Sequence, residues 1–96
     1  MIFVSLKKSN RPNKKYVIVF DNPKKTIHFG SKDSSTFLDH KDKTKRDNYI
    51  KRHSVRENWN EINPGSLSRY LLWESTNLNN NLKDYLQRFK IDYISH

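Results

Sequence analysis

This sequence predicts an α+β domain, a small antiparallel sheet of about three strands packed against two or three helices, and three observations carry that prediction. Three short runs within residues 1–30 alternate with period two and are rich in β-branched and aromatic side chains, which suits strands. From about His40 the apolar residues recur instead at helical spacing. Two Trp, five Tyr and five Phe give a chain of 96 residues the large side chains that one packed core needs, although its mean hydropathy is -1.02.

The strand runs are IFVSL (Ile2 to Leu6), YVIVF (Tyr16 to Phe20) and TIHFG (Thr26 to Gly30). DNPKK between the second and third is a turn segment opened by Asn-Pro, so these two strands form an antiparallel hairpin. KKSNRPNKK makes a longer, basic connection after the first. Asp39 is positioned to cap a helix running to about Arg56, with a break near Ser54 as an alternative. NPGSLSRYLLW offers Asn63 or Ser66 as caps and places Leu67, Tyr70 and Leu71 at helical spacing. A last helix starts after Asn77 and sets Leu78, Leu82, Tyr85, Leu86 and Phe89 on one stripe. The ending IDYISH either adds a strand or frays. No linker or repeat divides the chain, so residues 1–96 read as one domain, with the sheet over about 1–30 and the helical part over about 39–90.

Composition narrows the function classes. The absence of Cys excludes structural disulfides and thiolate zinc sites. Apolar runs of about five residues fall far short of the roughly 20 that span a bilayer, so no membrane role is expected. The net charge of +9 favours polyanionic partners, whose encounter a positive field accelerates. That field belongs to the first two thirds: residues 1–32 carry eight basic and one acidic side chain, residues 33–60 seven and five, residues 61–96 four and four.

The densest stretch is DHKDKTKRDNYIKRHSVRENW, Asp39 to Trp59. Wound as one helix, Lys41, Lys45, Tyr49, Arg52 and Arg56 fall within an arc of about 80°. Four cations and an aromatic on one face are what a phosphate backbone asks for: charges that displace counterions and a ring that stacks or packs between them. The bland alternative is a solvated helix in which Asp42 and Asp47 pair locally with Lys45, Arg46 or Lys51. Arg46, Ile50, His53 and Glu57 lie on the neighbouring arc and form its packing side. Basic turns containing Lys7, Lys8, Arg11, Lys14 and Lys15, and Lys24 and Lys25, would extend the binding surface.

A catalytic reading would recruit His28, His40 and His53 with Asp39 or Asp42 as a hydrolytic metal site. Spacing argues against it, because His40 and His53 are thirteen apart whereas ligands on one helix want three or four. No phosphate-cradling G-x-x-x-x-G-K-[ST] loop or nucleophile system occurs, and no cofactor or metal is called for. In RENW the simplest reading buries the Trp59 ring and pairs Arg56 with Glu57. Trp73 and Tyr70 are core candidates, and an exposed Trp73 would instead mark a protein-partner site.

Taken in order, KKYVIVF, TIHFG, DHKD, YIKRHSVRENW, SLSRYLLW and LKDYLQRF resemble an uncharacterised family of small basic proteins encoded by nucleocytoplasmic large DNA viruses, the marseilleviruses and their giant-virus relatives among them. The resemblance covers roughly Lys14 to Phe89, and HKD, RH..RENW and SR.LLW in that order are its most specific part. It implies a viral protein of the virion or the infected host cell, in a cytoplasmic factory or the nucleus, and brings no reaction or catalytic residue. Where relatives have a GYSDYT-like loop after HFG, this chain has SKDSSTFLD; where they often carry Trp before LLW, it has Tyr70.

The functional expectation is a non-catalytic protein that binds nucleic acid, DNA foremost, without sequence preference, through Lys41, Lys45, Tyr49, Arg52 and Arg56 together with Lys14, Lys15, Lys24 and Lys25. The alternative is an interaction protein whose basic face meets an acidic host or virion protein. Homodimerisation through the opening strand at a sheet edge stays open.

Overall fold

The structure, a computed structural model, describes residues 1–93. Its elements in order are β1 (Ile2–Lys8), β2 (Lys14–Asp21), β3 (Lys25–Ser31), α1 (Phe37–His40), α2 (Lys43–Ser54), α3 (Pro64–Leu67) running directly into a π-helical turn (Ser68–Leu72), α4 (Leu78–Arg88) and β4 (Asp92–Tyr93). The α+β class holds. Among the described residues the sheet has the order β3-β2-β1-β4. The hairpin partners β2 and β3 are antiparallel, as are β1 and β2, whereas β4 lies parallel to β1 with Ile2 opposite Asp92 and Phe3 opposite Tyr93. The sheet is therefore mixed rather than antiparallel throughout. IDYISH adds its strand at Asp92–Tyr93, and residues 94–96 lie outside the described residues.

That fourth strand corrects the expected position of the first. β1 is an edge only in part: β2 flanks it on one side, and on the other β4 covers Ile2 and Phe3 while Val4 to Lys8 have no further strand beside them among the described residues. A bulge at Val4 also interrupts its alternation, because Phe3 pairs with Phe20 and Ser5 with Val19. Phe3 and Leu6, three residues apart, consequently both pack on the core, and Val4 is left 54% exposed.

One face of the sheet carries Ile18, Phe20, Ile27 and Phe29, all buried, and the helical half closes over it with Phe37, Leu67, Leu71, Leu72, Tyr85 and Leu86. Tyr85 and Leu86 belong to the α4 stripe read from the sequence, with Leu78, Leu82 and Phe89 packed at its margin. Gly30 sits where β3 passes beneath Leu72. Its φ is +79°, and a Cβ there would lie 2.9 Å from Leu72 Cδ1 and 3.2 Å from Lys15 Cβ, so only glycine fits.

The long helix expected from Asp39 is two helices. Asp39 is the third residue of α1, and its Oδ2 accepts from the Thr36 backbone N–H at 2.8 Å and from the Thr36 hydroxyl at 3.1 Å, a capping box. Lys41 then turns left-handed (φ 56°) and ends that helix. Asp42 caps α2 by accepting from Thr44 N–H at 2.9 Å and Lys45 N–H at 3.3 Å. The helix ends at Ser54, as one of the two sequence readings has it.

Further on, Asn63 and Ser66 are both caps, each side chain accepting from the other's backbone N–H, with Pro64 opening α3. Asn77 caps α4 through Asn80 N–H at 3.1 Å. The π-turn displaces carbonyls from ordinary helical partners, and side chains take them over. The buried Asn81 amide donates to Leu71 O at 2.9 Å and to Ser75 O at 3.1 Å, and Arg46 Nε donates to Trp73 O at 2.9 Å and Glu74 O at 3.1 Å. Among the described residues no helix is long and apolar enough to cross a membrane.

Candidate nucleic-acid interface

Where β2 begins and β3 ends, the sheet faces the C-terminal half of α2 across the loop Ser31 to Thr36. The space between is an open groove of about 750 Å³ that reaches the start of α3. Lys14 stands on its sheet side and Arg52 and His53 on its helix side, with hydroxyls of Ser31, Ser34, Ser35, Thr36 and Ser68 between them. A second depression of about 410 Å³, lined by Lys45, Asn48 and Lys51, shares Ser35, Arg52 and Trp73 with the first. A third, lined by Lys8, Lys15, Lys32 and Asp39, joins at Lys14. Through the residues they share the three adjoin, and their lining traces a basic channel from the β1–β2 turn, past Lys14 and Arg52, to Lys45 and Lys51.

Its charge is largely uncompensated. Among the described residues, ion pairs engage Lys15 with Asp39, Arg46 with Asp47 and Glu74 and Arg69 with Glu74, and Glu57 is hydrogen-bonded to His53, which leaves Lys14, Lys45, Lys51 and Arg52 without a carboxylate within 4 Å. The Thr36 backbone N–H, reinforced by the Lys15 ammonium and the Thr36 hydroxyl, holds the Asp39 carboxyl below the usual range despite some burial. Glu57, the other acid at the channel, spends both oxygens locally: one meets His53 Nδ1 at 2.7 Å and the other accepts from Trp59 Nε1 at 2.9 Å. Glu57 thus pairs with His53 and Trp59 rather than with Arg56, and Trp59 is half-buried.

Beneath the groove the rings are stacked. His53 lies on Tyr49 at 4.0 Å between centroids, Tyr49 on Trp73 at 4.2 Å and 4°, and Trp73 beside His40 at 5.2 Å. Tyr49 is only 8% exposed, and burial, with Glu57 nearby, pushes its phenol well up. Trp73 is 9% exposed, so the exposed aromatic patch that would have marked a protein partner does not form around it.

Of the residues singled out in the sequence, Lys14, Lys45 and Arg52 come together along the channel. Lys15 lines its side arm, engaged with Asp39 at 3.3 Å. Tyr49 forms the floor rather than an exposed stacking ring. Lys41, in the left-handed turn, and Arg56, beyond the end of α2, are exposed outside these depressions, because the 80° arc assumed one continuous helix. Lys24 and Lys25 lie at the opposite end of the hairpin, where Phe20 pairs with Lys25. Six residues of strand separate them from the Lys14 end, about 20 Å at the usual strand rise. Lys51, Asn48 and His53 line the channel although they fall off the expected arc, and only the actual packing of Tyr49 beneath α2 discloses that rotation.

The three histidines do not converge. His40 and His53 are separated by the Trp73 and Tyr49 rings, and His28 pairs with Val17 on the face of the sheet away from the helices, its Nδ1 meeting Ser9 Oγ at 2.7 Å. Partial burial and the charges of Arg11 and Lys14 lower the His28 pKa. Among the described residues no group of three His, Cys, Asp or Glu is placed to hold a metal ion.

Fold and channel together define a small basic α+β domain with a cationic groove. Residues 4–53, just over half of the chain, match a family described as "Family of unknown function (DUF5754)", and the chain belongs to that family. The matched span ends at His53 and takes in Lys14, Lys45, Lys51 and Arg52. No curated protein and no solved structure matches the chain.

Proposed function

We propose that this protein binds nucleic acid without sequence preference and without catalysing a reaction, by laying phosphates along the channel from Lys14 past Arg52 to Lys45 and Lys51. The observation that carries this reading is continuity. Cations from the sheet end and from α2 face one channel and lack acidic partners within 4 Å among the described residues, the arrangement that releases counterions from a phosphate backbone. Hydroxyls between the cations add donors for phosphate oxygens. The burial of Trp73 weighs against the rival reading, an acidic protein partner docked through an aromatic anchor. In the viral setting that the sequence resemblance implies, the ligand is viral or host nucleic acid in the factory, nucleus or particle.

Fluorescence anisotropy with duplex DNA, single-stranded DNA and RNA over a salt series tests the reading. Replacing Lys14, Lys45 and Arg52 together by Ala should weaken binding to every sequence. It should also flatten the slope of log K against log salt by about 2–3, from roughly 0.7–0.9 per phosphate contact. Replacing Lys24 and Lys25 by Gln should leave affinity nearly unchanged. Unchanged binding by the triple variant, or an equal loss from the hairpin-tip pair, would refute the channel as the site.

A further inference from the structure

Resting on that reading, we infer that the channel takes a single strand rather than a duplex, and that one base of the strand stacks on His53 while flanking phosphates meet Arg52 and Lys14. His53 is the terminal ring of the stack above Trp73 and Tyr49, and its side chain is still 39% exposed. One face of the imidazole lies on Tyr49 and its Nδ1 edge is held by Glu57, so what remains open to the groove is the opposite face and the far edge. Glu57 is itself fixed by Trp59 Nε1, so the imidazole is held in one orientation.

A held ring at the end of a buried column is a stacking platform, and every base has a π-face to lay on it. Arg52, the preceding residue, and Lys14, from the sheet side, line the same groove as that platform. The concavity selects the strand. An intact duplex is convex and keeps its bases stacked inside, so reaching His53 would require unstacking one. A single strand enters with its bases already available. DNA and RNA share this chemistry, and the groove hydroxyls can serve either backbone.

The test measures binding of the full chain to single-stranded DNA, single-stranded RNA and duplex DNA of one length at one salt concentration, with 2-aminopurine in the single strands reporting stacking. The single-stranded forms should bind at least about tenfold more tightly than the duplex, and 2-aminopurine should be quenched. His53→Ala should lose about tenfold on single strands, within the range for one base stacked on an aromatic ring, and lose the quenching. His53→Phe, which removes the same ring nitrogens but keeps the ring, should retain both, separating stacking from charge and from the Glu57 contact. Thermal unfolding of both variants checks that the fold persists. Duplex bound as tightly as single strands, or equal behaviour of the Ala and Phe variants on single strands, would overturn the single-strand inference and leave the phosphate channel standing. Failure of all three nucleic acids to bind would overturn the channel reading and this inference with it. The stronger of the two single-stranded arms identifies DNA or RNA as the ligand.

Discussion

Replacing Asn81 by Ala would remove the side chain that ties α4 to the π-turn. Asn81 is 1% exposed, and its amide serves Leu71 O at 2.9 Å and Ser75 O at 3.1 Å while its carbonyl accepts from the Ser75 hydroxyl. The Leu71 contact is fully buried, and alanine leaves that carbonyl with no donor, a penalty of about 1–3 kcal/mol. The Ser75 groups are only part-buried and regain water, so their loss adds about 1 kcal/mol. The sum, about 2–4 kcal/mol, is a large fraction of the roughly 5–15 kcal/mol that holds a domain of this size. In urea unfolding followed by far-ultraviolet circular dichroism, a slope near 2 kcal/mol/M converts it to a midpoint lowered by about 1–2 M. A midpoint within about 0.3 M of the native protein, at unchanged slope, would refute the reasoning, because the Leu71 carbonyl would then have a partner other than Asn81.

Two pH limits follow from buried or capped groups. Burial pushes the Tyr85 phenol up to about 12, partly offset by the Ser66 hydroxyl 2.8 Å away, and raises Tyr49 further. Neutral phenols favour the folded state. Stability should therefore be intact below the ordinary value near 10 and fall as pH rises through the folded values, with the phenolates of these two residues appearing together with unfolding. A Tyr85→Phe variant with an unaltered alkaline transition would remove Tyr85 from that account. At the acid end, the depressed Asp39 carboxyl contributes stability that is present above the ordinary 3.8 and lost as pH falls through its lower folded value. A carboxyl-resolved NMR titration should find the Asp39 midpoint below 3.8, and Asp39→Asn should make the acid limb shallower; a midpoint at or above 3.8 contradicts the capping role.

Sequence patterns disclose the elements that depend on local chemistry and miss those decided by contacts across the chain. The β2–β3 hairpin, the α4 stripe and the Asn63, Ser66 and Asn77 caps are legible because alternation, helical spacing and cap residues all sit within a few positions of one another. Asp39, the acidic member of the α1 capping box, and Asp42, the cap of α2, lie three residues apart, and the sequence reading singles out only Asp39. What assigns one to each helix is the left-handed turn at Lys41, where the His40 ring accepts the Asp42 N–H at 3.0 Å, and no periodicity announces it. Similarly, Phe3 and Leu6 share a face only because the bulge at Val4 shifts the alternation of β1.

The candidate site divides the same way. Net charge and the density of Lys and Arg point to a polyanion and to α2, and Lys14, Lys45 and Arg52 follow. Which other basic turn joins them depends on strand direction: one end of the hairpin faces α2, and the other carries Lys24 and Lys25 away from it. The role of His53 depends on a ring stack assembled from residues up to 24 positions apart in sequence, Tyr49 and Trp73 being separated by the end of α2, the loop after it, α3 and the π-turn, which a helical wheel cannot display.

The near-parallel overlap of the Tyr49 and Trp73 rings, 4.2 Å apart at 4°, gives the molecule a built-in optical signature. Two chromophores packed so close should couple their electronic transitions and give near-ultraviolet circular dichroism that neither ring has when free to rotate. Trp59, edge-on to Tyr70 at 6.5 Å, lies outside that coupled pair. Because His53 rests directly on Tyr49, a ligand seated on the imidazole is only one ring removed from the coupled chromophores. A ligand seated there should therefore register in the near-ultraviolet circular dichroism of the unlabelled protein.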